Sequence, residues 1–321
     1  MHFLVSARFG WLIILVTLGL SSSPASAGPL LVWASFGSPD AAANKIQQSS
    51  SDGSQIGDLA GPLHTPFGVA VDDSTGDVYW TDFELGLIQK TNLSGGPIGT
   101  VISGLATPYA LAIDAITGQL YWADDGTNKI QRANSDGSGL TDLVSMASTS
   151  SDIRAMALDL VHQKMYWADI GLGVIRRAAL DGSQVEDLVT TGLGDMRGLA
   201  LDVYGGNLYW MNSLSDSDTR LQRSNLDGTD IQTLLTVPLA GGLALDAGAS
   251  LLYFTNPADH HIYRVQTDGS GLLALAYSGA ATPAGIALAS NTSPVPEPST
   301  LYLLGTGGLG LVATLRWRKR G

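Results

Sequence analysis

The side chains that could bind or react are unevenly chosen in this 321-residue chain. Aspartate is abundant, cysteine is absent, and Glu84 and Glu186 are the only glutamates between residues 28 and 290. Without thiols there is no cysteine nucleophile and no cysteine-based zinc or iron–sulfur site. Neither H-E-x-x-H nor G-x-S-x-G occurs, so two common hydrolase constellations are missing. His260 and His261 are adjacent; on a strand their rings would point apart, which suits a surface position better than a shared metal. No catalytic residue, metal ligand or cofactor is expected.

Four residues suggest recognition instead. Phe67, Tyr109, Arg154 and Arg197 occupy one position in successive repeats, followed there by Gly241 and Ala284. Packing alone would keep such a position uniform. Two rings and two guanidinium groups on one surface would stack on flat groups and hold anionic ones; the alternative is that the arginines pair with nearby aspartates and the rings cover blade edges. Glu84, Asp125, Asp216 and Asp218 fall in loops that should open on the same face. The repeated aspartates read as hydrogen-bond acceptors that fix turns, in preference to metal ligands.

The elements that must position these residues form a repeat. Tyr79-Trp80-Thr81-Asp82, Tyr121-Trp122-Ala123-Asp124 and Tyr166-Trp167-Ala168-Asp169 are its clearest stations. Tyr209-Trp210-Met211-Asn212, Tyr253-Phe254-Thr255-Asn256 and Val32-Trp33-Ala34-Ser35 are looser copies. Successive stations lie 42 to 47 residues apart, a period of solenoids and propellers. About ten residues before each later station runs a small-residue strand ending in aspartate, such as Gly68-Val69-Ala70-Val71-Asp72. An Asp-Gly turn, as at Asp136-Gly137 or Asp181-Gly182, leads into a fourth strand. Each unit therefore holds four strands, and the neighbouring Tyr and Trp of the second point to opposite faces, toward different adjacent units.

The array begins on an aromatic strand at Leu30 and ends on an unpartnered first strand, Gly285 to Ala289. The last strand can complete the first unit. The expected fold is all-β: a six-bladed β-propeller of four-stranded blades, spanning 28–290, its first blade closed by the C-terminal strand. Its repeats resemble the YWTD, or class B, repeats of low-density-lipoprotein-receptor-like proteins. The resemblance implies an extracellular binding module without catalytic activity. The cysteine-rich modules that flank those propellers are lacking here, so no ligand carries over.

Both ends read as addresses. Arg8, an apolar run from Phe9 to Leu20, and Ala25-Ser26-Ala27 form a signal peptide over 1–27, cleaved after Ala27. Residues 291–300 form a linker containing Pro296-Glu297-Pro298. An apolar run from Leu301 to Leu315 and a basic end through Arg320 make up a transmembrane sorting segment over 301–321. This tail resembles the PEP-CTERM signal of exopolysaccharide-producing bacteria. That implies export to the envelope or beyond, a transient C-terminal membrane anchor, and processing by an exosortase-like enzyme. Gly305 to Gly310 fits G-x-G-x-x-G, but no strand–turn–helix surrounds it.

The chain carries a net charge of −12; within 28–290 there are 12 basic against 28 acidic side chains, a balance of −16. Such a surface repels nucleic acid. The leading expectation is a non-catalytic binding or scaffold protein whose partner is an extracellular protein or polysaccharide. A metal-dependent lactonase or lyase and a purely structural matrix protein are the alternatives.

Overall fold

The computed structural model describes residues 28–37, 43–146, 150–279 and 281–290. The expectations on Ala25, Ala27, Pro296, Glu297, Pro298 and the tail lie outside the described residues. Among those described, no helix is long and apolar enough to cross a membrane.

Short strands separated by Asp and Gly turns dominate, as the repeat predicts. The first blade has β1 (Leu30–Phe36), β2 (Lys45–Ser50) and β3 (Gly57–Ala60). The second has β4 (Pro66–Asp72), β5 (Asp77–Asp82), β6 (Leu87–Asn92) and β7 (Gly99–Ile102). The third has β8 (Pro108–Asp114), β9 (Gln119–Asp124), β10 (Lys129–Asn134) and β11 (Thr141–Ser145). The fourth has β12 (Ile153–Asp159), β13 (Lys164–Asp169), β14 (Val174–Ala179) and β15 (Glu186–Val189). The fifth has β16 (Asp195–Asp202), β17 (Asn207–Ser215), β18 (Asp218–Asn225) and β19 (Gln232–Val237). The sixth has β20 (Leu243–Asp246), β21 (Leu251–Asn256), β22 (His261–Gln266) and β23 (Leu273–Tyr277). Finally β24 (Thr282–Ala289) pairs antiparallel with β1, from Leu30 opposite Ala289 to Phe36 opposite Thr282. Six four-stranded sheets result, and the expected closure of the first blade is observed.

The core is divided among the junctions between blades. Tyr79 packs with Trp122, Tyr121 with Trp167, and Tyr166 with Trp210. Tyr209 then packs with Phe254, and Tyr253 returns to Trp33 of the first blade. Trp80 lies on the other side of its strand from Tyr79, among Val32, Ile46 and Leu59. Alternation along one strand thus sends each aromatic pair into two different junctions. All five tryptophans of this set are fully buried.

The small residues on the inner strands have a steric cause. A Cβ on Gly68 would stand 2.2 Å from the Tyr109 carbonyl oxygen, and one on Gly285 would stand 2.3 Å from that of Phe67. Neighbouring inner strands approach so closely that this column admits only Gly or Ala. Past it, Val69, Leu111, Met156, Leu199, Leu243 and Ile286 form an aliphatic collar around a central cavity of about 60 Å³.

The repeated aspartates are hydrogen-bond acceptors. Buried Asp124 accepts the Ala106 and Thr107 backbone N–H groups at 2.9 and 2.8 Å, tying the incoming loop to the aromatic strand. Asp114 accepts from Ile116 and from the Thr117 backbone and hydroxyl, closing the turn after the inner strand. Asp52, Asp136, Asp181, Asp227 and Asp268 each accept both the backbone N–H and the hydroxyl of the Ser or Thr two residues on.

Those hydroxyl bonds hold the five turn carboxyls below the usual aspartate range. A group whose folded pKa is depressed contributes stability that is complete above its unfolded value, near 3.8, and lost as pH falls through the folded value. Acid titration of unfolding should therefore show a loss beginning near pH 4. Asparagine can accept in such a turn without titrating, as Asn92 does from Ser94 in the second blade. Replacing all five aspartates with asparagine should flatten the acid limb between roughly pH 4 and 2. An unchanged slope in denaturant titrations would assign the acid sensitivity elsewhere.

Candidate functional site

The strand order brings the inner-strand entry residues to one mouth of the central cavity. Phe67 enters β4, Tyr109 β8, Arg154 β12 and Arg197 β16. Phe67 and Tyr109 meet edge to face, with ring centroids 5.2 Å apart. Phe83 lies 5.0 Å from Tyr109 and Phe36 lies 5.9 Å from Phe67, so four rings form one cluster. The Arg154 guanidinium stands 3.8 Å from the Tyr109 ring centroid, within cation–π range.

Both arginines already have acidic partners. Arg154 forms a two-pronged pair with Asp152, one arm at 3.0 Å. Arg197 places both of its bonds, at 2.8 and 2.6 Å, on a single oxygen of Asp195. The signal was present in the sequence: Asp152-x-Arg154 and Asp195-x-Arg197 put acid and base on one side of a strand. Arg154 keeps 24% of its side chain exposed and Arg197 keeps 41%, so Arg197 is the more available donor.

The acidic candidates divide. Asp125 lies in the short turn Asp125–Thr127 beside this mouth, its carboxyl pushed up by burial and by the nearby Asp152 charge. Burial likewise raises the Tyr109 phenol, which stays a neutral donor at physiological pH. Glu84 is exposed and approaches His64 at 3.3 Å. Asp218 is held by Arg220 through two bonds of 2.9 and 2.8 Å at the tip of the long β17–β18 hairpin. Asp216 lends its backbone carbonyl to Leu239. The contacts of these two aspartates are local to the fifth blade.

Gly241 and Ala284, the last two members of the series, open an apolar notch. It is bounded by Phe36, Phe67, Pro257 and Pro283, with Arg197 at its edge. Sequence reading missed Phe36 and Phe83, which share the position just after the aromatic station, held by Asp125, Ile170, Ser213 and Pro257 in the other repeats. Below the mouth the cavity meets the aliphatic collar. Among the described residues, no group of three or more His, Asp or Glu side chains stands close enough to hold a metal ion.

A toothed ring of six four-stranded sheets with Tyr–Trp junctions poses a question of kinship. Residues 163–203 match the model of the low-density lipoprotein receptor repeat class B. That segment, running from β13 of the fourth blade through β16 of the fifth, is one YWTD repeat. Residues 294–320 match the PEP-CTERM protein-sorting motif, so the chain carries an export and envelope-sorting signal behind its YWTD-type propeller. Among solved structures, a nidogen/laminin complex aligns with a TM-score of 0.73 at 21% identity, covering 83% of this chain and 100% of that one. TolB from Acinetobacter baumannii aligns at 0.68 and 12% identity, covering 83% and 68%. These likenesses establish the fold. No curated protein sequence matches the chain.

Proposed function

We propose that this protein is a non-catalytic binding module of the cell envelope or extracellular matrix, and that its cavity mouth grips an extracellular protein. The observation carrying this reading is the cluster of four rings and two arginines where the other entry residues are small. Aromatic and arginine side chains dominate protein-recognition hot spots, and a partly desolvated arginine on a ring offers both apolar area and directed donors. The apolar notch beside Arg197 adds a socket for a partner's side chain. The complex formed by nidogen with laminin, on the same fold, is consistent with protein recognition. The sorting motif supports delivery through an exosortase-type route, with removal of the tail near Pro296-Glu297-Pro298.

The test is pull-down from secreted and envelope proteins, followed by affinity measurement on the captured partner. Replacing Arg154 and Arg197 together with alanine should weaken binding at least ~30-fold, the scale of a hot-spot loss. Affinity equal to that of the unaltered protein would remove the mouth from consideration.

A further inference from the structure

The sixth blade departs from the others on its outer strands. Opposite the buried indole those blades place Gln47, Gln89, Gln131, Arg176 or Gln222; the sixth places Tyr263 opposite Phe254. The two rings stack, 5.3 Å apart and 10° from parallel. Just before β22, His260 adopts a left-handed backbone with φ of 62°. It is therefore not a strand residue, and the two histidine rings do not diverge as an extended backbone would make them: both approach Tyr277, at 6.3 and 5.3 Å.

His261 and Tyr277 face each other across neighbouring strands, and Tyr263 lies 6.2 Å from His261. The Tyr277 and Tyr263 rings are tilted by 54° and 55° from the His261 ring. Tyr277 is 54% exposed, more than any inward-packed aromatic of the repeat. Beside them stands Asp259. Its carboxylate accepts the Tyr263 phenol at 2.6 Å and the His261 backbone N–H at 3.1 Å, and 42% of its side chain remains exposed. That bond pushes the Tyr263 phenol up to about 12, so it stays a donor that anchors the carboxylate.

Asp58, Asp77, Asp142, Asp152, Asp187, Asp195 and Asp218 each pair with a lysine or arginine. Asp259 has His261 instead, at 3.5 Å. An accessible carboxylate bordered by electron-rich rings, on a propeller of net charge −16, draws organic cations. A lysine side chain would satisfy the carboxylate and leave the broad ring faces uncovered. A rigid sugar bearing an ammonium group covers both at once, with little conformational entropy to lose. We propose that Asp259, His261, Tyr263 and Tyr277 form a second binding site, which takes a protonated amino sugar. Its pyranose face lies on the Tyr277 and His261 rings and its ammonium on Asp259.

Calorimetric titration of the full-length protein with glucosamine trimer and with N-acetylglucosamine trimer tests this. The cationic trimer should bind at least ~10-fold more tightly, the effect of about one charge-assisted contact. Tyr277→Ala should lose at least that factor, Tyr277→Phe should retain binding, and Asp259→Asn should erase the preference between the trimers. The Arg154→Ala, Arg197→Ala double variant should bind the trimer normally, which separates this site from the mouth. Equal binding of both trimers, wild-type affinity in a natively folded Tyr277→Ala, or trilysine binding as tightly as the amino sugar would each overturn the proposal.

Discussion

Ending the chain at Ala281 should abolish the cooperative fold, whereas ending it after Asn291 should leave the unfolding midpoint unchanged. The difference is one strand. β24 covers β1 along its whole length and also contacts both β4 and β20, so its loss strips one blade and opens the ring. Leu31, Val32, Trp33 and Ala34, all fully buried, would face water. At about 25 cal/mol per Å² of apolar area, that exposure exceeds the whole net stability of an ordinary domain. Unpaired edges of β1, β4 and β20 would also template association between chains. The last described strand ends at Ala289, so a chain ending after Asn291 keeps every strand of the propeller. Denaturant unfolding with light scattering distinguishes the two truncations. A wild-type midpoint for the shorter chain would mean that the ring does not depend on its seam.

The second large effect concerns the aspartate that ends the aromatic strand. Asp169 is fully buried and accepts the Ser151 hydroxyl at 2.6 Å and the Asp152 and Leu172 backbone N–H groups at 3.2 and 3.1 Å. Asp169→Ala leaves one buried and two part-buried donors unanswered and should cost about 2 kcal/mol or more. Asp169→Asn should cost about 1 kcal/mol, because one oxygen still accepts and the Ser151 hydroxyl can turn to accept from the new amide. The protein contains its own precedent: Asn212 fills this place in the fifth blade, accepting from Gly194 and donating to Gly192. Equal losses for Ala and Asn in urea titrations would show that charge, not hydrogen bonding, is what the position requires. Since Asp152 also holds Arg154, the alanine variant should loosen the mouth as well.

Blade number, strand order and closure were legible because each rests on a repeated chemical need. A Tyr–Trp pair must fill two junctions, a small residue must let backbones pass, and an aspartate must close each turn. Those needs recur six times, so degenerate copies such as Val32-Trp33-Ala34-Ser35 are interpretable from the clear ones. The site was only half legible. The series Phe67, Tyr109, Arg154, Arg197 was visible because it breaks a uniform position. Phe36 and Phe83 were not, although they share a repeat position just past the station, because the unlike residues there in other blades (Asp125, Ile170, Ser213, Pro257) hide it. The arginine pairs with Asp152 and Asp195 follow from two-residue strand periodicity, as does Asp218 with Arg220. The cluster around Tyr277 was hidden for another reason: a left-handed turn at His260, where other blades carry Gly86, Asn128 and Gly173 in the same conformation, changes where two adjacent rings go.

The aliphatic collar has a consequence for how the molecule is handled. Six apolar side chains, five aliphatic and one the Met156 thioether, meet around a cavity of about 60 Å³, which admits a few waters and no polymer. It works as a bulkhead. The mouth lies on one side of it; on the other, Ser290 leaves the last strand with its backbone N–H and hydroxyl bonded to Asp73. Nothing larger than water can pass from the Ser290 side to the mouth through the centre of the propeller. The two faces of the propeller therefore meet water separately, and a solute bound at one has no route through the core to the other.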